Sequence, residues 1–236
     1  MFDFRFAINS FPKILSVAPT TIVLSIIATL IGLILAILIV IIRERKIKVL
    51  DSIAAIYVSF IRGTPIIVQL YVVYYGLPQL LVALRGMGIN TNSNGLPVIL
   101  IAILAYSFNA SANISESIRS AYHSVDYQQY EAAVSVGMKP TRAMTRIVVP
   151  QLITNLIPNF SNLFLDLIKD TAIVYNIGIV EIMAKANIMS SLGFKYIETY
   201  LDALIIYVFI CWFFAKLFQI FEIIARKRIS HTQEFV

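Results

Sequence analysis

The sequence has few of the residues on which soluble and secreted proteins depend. Only 14% of its 236 residues are charged, whereas soluble domains carry about 25%. Cysteine occurs once, at Cys211, which excludes an intramolecular disulfide. The two histidines, His123 and His231, are far apart in the chain, so we expect no metal site. These scarcities argue against a water-soluble globular protein and against a disulfide-stabilised secreted one.

Signatures of nucleotide hydrolysis and of other catalysis are also missing. None of the nine glycines is followed by lysine, which excludes a phosphate-binding GxxxxGK(S/T) loop in this chain. No motif pairs a nucleophile with a base, so we predict no catalytic residues and no enzyme activity of its own. The net charge is +6, but the basic residues lie at the ends of apolar segments, so we expect no nucleic-acid partner.

Long apolar runs dominate instead. Hydrophobic residues make up 59% of the chain, and several runs reach the roughly 20 residues that a bilayer crossing needs. Gly63 and Pro65 interrupt the second run, which predicts a short interfacial helix, a bend and then the span proper. The sequence therefore predicts an all-α integral membrane protein with five transmembrane helices. The predicted spans are Pro19–Ile42, a span within Ile53–Leu84, Leu96–Ala121, Ile147–Leu167 and Thr199–Ile224.

The basic residues predict the orientation of these spans. They are densest after the first span, between the third and fourth, and after the fifth, which places these segments in the cytoplasm and the N-terminus outside. We expect an outer or interfacial segment at 1–18, one membrane domain at 19–226 with a cytoplasmic loop at 127–150, and a cytoplasmic tail at 227–236. Thr91–Gly95 is predicted as an outer turn and Met183–Lys195 as an outer, partly helical stretch. The first apolar run is too long for a signal peptide, so we expect it to stay in the mature protein.

The residues of the predicted cytoplasmic loop favour a defined structure. Tyr127–Val136 favours helix, Gly137 permits a left-handed backbone, and Pro140 suits the first turn of a second short helix. The pattern predicts a helix–turn–helix knob beneath the membrane. Spacing alone supports equally an amphipathic elbow that rests on the lipid headgroups.

The loop resembles the EAA loop of ABC importer permeases. The matching pattern is Glu131-Ala132-Ala133, three residues, Gly137, nine residues and Ile147-x-Val149-Pro150, with valine where the family usually has leucine. In that family the loop docks into the cytoplasmic ATPase subunit. The resemblance implies that Glu131 is a docking charge, Gly137 the turn and Met138–Arg142 the contact surface. The implied coupling residues are Glu131, Ala132, Ala133, Gly137, Met138, Lys139, Pro140 and Arg142.

Three further segments resemble permeases of polar amino-acid importers: Phe60–Gln79, Ser115–Arg119 and Leu167–Thr171. The resemblance implies the type I ABC importer permease fold in a bacterial inner membrane. It also implies a second permease subunit, identical or different, two ATPase subunits and an extracytoplasmic amino-acid-binding protein. ATP and Mg²⁺ would bind the ATPase, and no cofactor would bind this chain.

The departures from the family pattern bear on the substrate. Gln128-Gln129 stands where the family usually has Gly-Gln. Asn162-Leu163 stands where many members have Asn-Glu, a glutamate associated with cationic substrates in some of them. We therefore expect cystine or a neutral polar amino acid. The alternatives are a basic amino acid, a non-transporting scaffold for an ATPase, or an ion-driven carrier; the lack of an internal repeat argues against the last.

Polar residues recur at steps of three and four in two spans, which places them on one helical face each. Polar side chains within a membrane are costly unless they face protein or water, so they are candidate pathway residues. The predicted pathway set is Gln69, Asn109, Asn113, Asn159, Asn162 and Asp166. The alternative is that they only hold helices together. Glu116 and Arg119, three residues apart, are predicted to form an ion pair.

Overall fold

A computed structural model of the protein describes the backbone of residues 2–89 and 96–233, with side chains to residue 227 in the last helix. The predicted outer turn Thr91–Gly95 lies outside the described residues. Every regular element in the described ranges is helical. In chain order they are α1 (Phe4–Leu15), α2 (Ala18–Glu44), α3 (Leu50–Arg62), α4 (Ile66–Gly86), α5 (Val98–His123), α6 (Tyr127–Ser135), α7 (Pro140–Ala143), a π-helical turn (Met144–Val148), α8 (Val149–Asp170), a 3₁₀ helix (Thr171–Ile177), α9 (Ile182–Gly193) and α10 (Tyr196–Gln233).

Four segments of the described chain are long and apolar enough to cross a membrane: α1 with α2, α4, α5, and α10 as far as Lys227. The fourth predicted span corresponds to α8, whose 22 residues would extend about 33 Å. It is not among the four apolar segments because one of its faces carries asparagine, aspartate and lysine. Length and composition therefore identify four membrane-spanning segments in the described chain, one fewer than the five that the sequence predicted. A face of that kind is stable in a membrane only against protein or water.

The predicted bend between α3 and α4 is confirmed. Pro65 has an extended backbone and α4 begins at the next residue. Proline removes a backbone donor, and the carbonyl groups near it need other partners. The side chain of Gln69 supplies them, since its Nε2 atom donates to the carbonyl oxygens of Ile61 at 2.7 Å and Thr64 at 3.0 Å. The bend is thus held by a side chain one turn into the following helix.

Helices α2 and α5 form the centre of the fold. A stripe of small side chains lets their backbones come close, and Gly32 lies at the tightest point. A Cβ atom on Gly32 would stand 2.7 Å from the Cβ of Ala110 and 3.1 Å from the carbonyl oxygen of Ser107. Ala36, Ala110, Ile114 and Ile118 continue the contact as buried core. Outward, α4 and α10 expose large apolar side chains, as helices that face lipid do.

Hydrogen bonds fasten α1, α9 and α10 at the opposite end of the spans from the 127–150 loop. Asp3 caps α1 and pairs with Lys195 at 3.4 Å, while its N–H donates to Glu198. The fully buried Glu181 caps α9 and accepts the hydroxyl of Tyr207 on α10 at 2.8 Å. The predicted helical stretch within Met183–Lys195 is confirmed as α9, which begins one residue earlier and ends at Gly193.

A charged cluster ties the ends of α2 and α5 nearest the 127–150 loop. Glu116 pairs with Arg43 and, at 3.3 Å, with Arg119, so the predicted Glu116–Arg119 ion pair is confirmed. Arg119 also binds Glu44 at 2.8 Å, and His123 lies 3.1 Å from the same carboxylate. Two helices are therefore joined through alternating charges at this end.

Candidate functional site

The predicted helix–turn–helix knob is confirmed as a structure. Asp126 caps α6 by accepting the N–H of Gln128 at 2.9 Å. The chain then turns at Gly137, whose φ of 90° lies in the left-handed region that favours glycine. Pro140 is the first residue of α7, where its missing N–H costs nothing. The knob is thus two short helices set by a glycine turn and a proline start.

The knob presents most of the predicted coupling residues outward. Glu131, Ala132, Gly137, Lys139, Pro140 and Arg142 are exposed, Met138 is half-buried, and Ala133 is buried. Val136, beside the turn, is 84% exposed. Nothing in the described chain covers this mixture of apolar and charged surface.

Hydrogen bonds connect the base of the knob to the helices above it. Gln151 on α8 donates to Gln129 on α6 at 2.7 Å. Asn155 on α8 donates to Ser124, the residue after α5, at 2.9 Å. Because three residues join α5 to α6 and the π-helical turn leads into α8, the knob is connected to both helices by the chain as well as by these hydrogen bonds.

Between α3, α5 and α8 lies a cleft of about 260 Å³. Asn109 and Asn113 of α5 and Asp166 of α8 line it, so the structure brings these three predicted pathway residues together. Apolar side chains such as Ile114 and Phe160 complete the wall. The cleft is therefore amphipathic, and these three polar residues lie on the two predicted faces.

Charges of both signs reach this cleft. The guanidinium of Arg62 lies 4.0 Å from Glu116, and the ammonium of Lys169 lies 2.6 Å from the Asp166 carboxylate. Asp170 also lines the cleft, and its side chain forms no hydrogen bond or ion pair with the described residues. Its backbone oxygen accepts the hydroxyl of the buried Tyr106 at 2.6 Å, which fixes α8 against α5 there.

Three predicted pathway residues lie elsewhere. Gln69 is buried, and its amide is bonded at both ends within the chain, to the bend and to Asn109. Asn159 and Asn162 do not line the cleft; they lie exposed on the same face of α8 as Lys169. Asp166 belongs to both surfaces, since it is exposed and also lines the cleft.

Sequence reasoning missed four polar residues of the cleft: Thr29, Arg62, Thr64 and Asp170. Arg62 and Thr64 flank Gly63 in the predicted bend, but the sequence pattern assigns a role there only to Gly63 and Pro65. Thr29 is 6% exposed and its hydroxyl has no hydrogen-bond partner in the described structure. It continues a stripe of small polar residues on α2 with Thr21 and Ser25, a spacing of four that could have marked the face turned inward. Within the described residues, no group of three His, Cys, Asp or Glu side chains could hold a metal ion.

These features belong to a known class of membrane protein. Residues 28–230 match the family described as "Binding-protein-dependent transport system inner membrane component", and the chain belongs to this family. It is a multi-pass permease subunit of an ABC transporter with the type I importer permease fold. It has no ATPase site of its own, and partner subunits hydrolyse ATP.

Relatives and a solved structure resemble the chain over nearly its full length. It is 36% identical to the probable amino-acid permease protein YxeN of Bacillus subtilis, over 93% of this chain and 94% of that one. It is 32% identical to the L-cystine transport system permease protein TcyL of the same organism, over 98% and 93%. The structure reported as "Crystal structure of an amino acid ABC transporter with histidines" is 33% identical with a TM-score of 0.81, over 94% of this chain and 98% of that one.

Proposed function

We propose that this chain admits a polar amino acid, with cystine or a neutral polar amino acid favoured, and that the 127–150 loop couples its movement to ATP hydrolysis. The observation that carries the proposal is the cleft between α3, α5 and α8, which offers amides and charges of both signs above an uncovered knob. An amino acid has an ammonium and a carboxylate, and such a cleft can partner both. The names of the similar permeases point to the same class of substrate.

The proposal includes the other subunits of the transporter and the orientation of this chain in the membrane. ATP and Mg²⁺ bind in the partner ATPase subunits, into which Glu131 and the surface at Met138–Arg142 dock. A second permease subunit, identical or different, covers the exposed polar face of α8 that carries Asn159 and Asn162. An extracytoplasmic binding protein delivers the substrate. The basic segments lie on the cytoplasmic side of a bacterial inner membrane, with the N-terminus outside and the C-terminus inside.

The charge balance of the cleft favours a substrate without net charge. Asp166 is compensated by Lys169 at 2.6 Å, and Arg62 lies 4.0 Å from Glu116. A second candidate, a basic amino acid, is supported by Asp170, whose carboxylate has no cationic partner within 4 Å in the described chain. We favour the first because one carboxylate can bind the α-ammonium group that every amino acid has, which leaves none for a cationic side chain.

Reconstitution tests the proposal directly. The complete complex is placed in proteoliposomes with ATP inside, and uptake is measured for cystine, glutamine, serine, arginine and histidine. We expect ATP-dependent uptake of cystine or a neutral amino acid and little of arginine. Uptake without ATP would contradict the coupling, ATPase activity without any uptake would favour a scaffold, and arginine as the best substrate would favour the second candidate.

Three variants test the proposed substrate pathway. Asn113→Ala removes a cleft amide and should lower uptake while basal ATPase activity persists. Asn159→Ala and Asn162→Ala test the exposed face of α8 in the same way. If all three variants transport at the unmodified rate with the unmodified KM, the polar faces are not the pathway.

A further inference from the structure

We propose that an apolar groove between α8 and α10 binds an acyl chain of an anionic phospholipid, whose headgroup lies on the knob's side of the membrane. The groove has a volume of about 620 Å³, within the range of ~300–1,000 Å³ that small-molecule sites occupy. Leu33 of α2 also lines it. The groove is separate from the polar cleft between α3, α5 and α8, with which it shares only Phe160.

The lining offers an occupant almost nothing to hydrogen-bond. Thr154 is the only lining residue with a polar side chain, and its hydroxyl donates to the backbone oxygen of Pro150 at 3.1 Å. The groove is nevertheless open to its surroundings, since Ile153, Phe221 and Ile224 are exposed. An unfilled groove would forfeit the dispersion contacts of its walls. Its natural occupant in a membrane is therefore as apolar as the lining itself.

The length of the groove fits one leaflet of a bilayer. Helix α8 lines it from Pro150 to Phe160, and these ten residue steps rise about 15 Å. Half of a hydrocarbon core of ~30 Å is also about 15 Å. The ring of Phe160 packs edge-on against the ring of Phe218 on α10, with centroids 5.8 Å apart, and this pair stands at the far end of the groove. The groove thus opens at the knob's side and ends about one leaflet deep.

Basic side chains stand at the open end. Arg146 lies about one turn before Pro150, is exposed, and forms no hydrogen bond or ion pair with the described residues. Arg226 and Lys227 directly follow the last groove residue of α10, and Arg226 pairs with Glu222 at 2.8 Å. Three cations and one carboxylate leave a net charge of +2 on these four residues. A basic cluster at the membrane surface favours an anionic headgroup over a zwitterionic one.

The position of the groove distinguishes a lipid from a second permease subunit as its occupant. Asn159 and Asn162, on the exposed face that the proposed second subunit covers, are nine residues after Pro150 and Ile153 respectively. Nine residues make two and a half turns of about 3.6 residues each, so the groove and the polar face lie on opposite sides of α8. The assignment of the groove to lipid rests in this respect on the proposed placement of the second subunit.

Quenching by a brominated lipid tests the site. The purified permease–ATPase complex in detergent is titrated with phosphatidylglycerol that carries a dibrominated acyl chain, and separately with phosphatidylcholine of the same chains. Phe221→Trp in a Trp212→Phe background places the one tryptophan of this chain in the groove, and the background complex gives the fluorescence of the partner subunits for subtraction. We expect quenching to saturate, and to do so at a lower fraction of phosphatidylglycerol than of phosphatidylcholine. Equal titrations by the two lipids would overturn the anionic headgroup.

Two matched variants serve as controls. Phe209→Trp in the same background places the tryptophan on an exposed part of α10 outside the groove, where quenching should rise in proportion to the lipid without saturating. Identical curves at the two positions would refute the site. Quenching of Phe209→Trp without quenching of Phe221→Trp would show that protein fills the groove, which would overturn the proposal.

The contribution of the headgroup is tested by removing one charge. Arg146→Gln should raise the phosphatidylglycerol needed for half of the quenching roughly fivefold, which corresponds to about 1 kcal/mol for a basic residue near an anionic surface. It should leave the phosphatidylcholine titration as it is. Arg85→Gln changes an exposed arginine at the other end of the spans and should alter neither titration. An Arg146→Gln titration equal to that of Arg85→Gln would exclude Arg146 from the site.

Retained lipid gives an answer that does not depend on fluorescence. Phosphatidylglycerol bound to the purified complex after extended washing in detergent is measured by mass spectrometry. Ile153→Trp fills the groove and should lower the amount retained, whereas Ile205→Trp changes an exposed isoleucine of α10 outside the groove and should not. Equal retention in the two variants would contradict the site.

Discussion

The contact between α2 and α5 gives the most quantitative prediction. A Cβ atom at Gly32 would stand 2.7 Å from the Cβ of Ala110 and 3.2 Å from the backbone nitrogen of Ser111. Nonbonded carbon atoms prefer about 3.5–4.0 Å, so Gly32→Ala requires the helices to separate by roughly 1 Å. Overpacking of this kind costs about 1–3 kcal/mol. Because Ala110 also lines the cleft, the displacement should widen the cleft as well.

A matched glycine removes the effect of helix propensity. Gly76 lies in α4, and a Cβ atom there would meet nothing within 4 Å. Both substitutions gain the propensity of alanine over glycine, up to about 1 kcal/mol, so the difference between the two variants isolates the packing cost. Gly32→Ala should therefore be less stable than Gly76→Ala by about 1–3 kcal/mol.

The assay is thermal unfolding of the purified complex in detergent, followed by intrinsic fluorescence. For a chain of this size each kcal/mol corresponds to about 2–4 °C in Tm. The double variant Gly32→Ala with Ala110→Gly removes the nearest clashing atom and should recover part of the loss. Equal Tm values for Gly32→Ala and Gly76→Ala, measured in the same complex, would refute the reasoning that these helix backbones are in tight contact.

Three further predictions concern the two ends of the molecule. Gly137→Ala forces alanine into a left-handed backbone at a cost of about 1–2 kcal/mol, and it should lower substrate-stimulated ATPase activity more than membrane insertion; an unchanged ATPase response would show that the turn is not needed. Glu181→Ala leaves the buried hydroxyl of Tyr207 without its acceptor, so Tm should fall by the equivalent of about 1–3 kcal/mol, whereas Glu181→Gln keeps a partner and should lose less; an equal loss in both variants would contradict this. The backbone N–H that Asp3 accepts lowers the pKa of its carboxyl, with the Lys195 ammonium acting in the same sense. The stabilisation is therefore complete above the ordinary pKa of Asp3 and is lost as pH falls through the lowered one, so hydrogen exchange in α1 should rise at low pH in the unmodified protein but show no such step in Asp3→Asn.

The helices and their interruptions could be predicted from the sequence because local chemistry decides them. Pro65 and Pro140 each constrain their own backbone. Gly137 adopts a left-handed backbone, which is strained for residues that have a side chain. The ion pair of Glu116 with Arg119 follows from their spacing on one helix. Features that depend on three or four consecutive residues were therefore predicted with nearly correct bounds.

The site could be predicted only in part because it depends on how each helix is rotated against the others. Periodicity placed Asn109 and Asn113 on one face, and that face does line the cleft. The same reasoning placed Asn159 and Asn162 on a polar face of α8, but it could not tell that only Asp166 of this face lines the cleft and that the two asparagines are exposed beside it. Their role in the pathway remains a prediction that depends on what covers them.

The contacts of Gln69 could not be predicted from the sequence, because spacing along the chain does not encode a hydrogen bond between two helices. Gln69 was predicted as a pathway residue, and the structure shows both ends of its amide occupied, by the bend and by Asn109. Likewise, the position of α8 in the chain predicts a membrane-spanning helix, whereas its polar residues keep it out of the set of apolar segments that composition identifies. In both cases the deciding information lies in neighbours far away in the chain.

The two ion pairs between the end of α2 and α5 resist the sliding of one helix along the other. Arg43 and Glu44 are adjacent and opposite in charge, and they bind Glu116 and Arg119, one turn apart on α5. A slip of α5 by one turn would bring like charges together in either direction, since it would place Arg119 against Arg43 or Glu116 against Glu44. The register between these two helices is thus fixed by charge as well as by the close packing at Gly32.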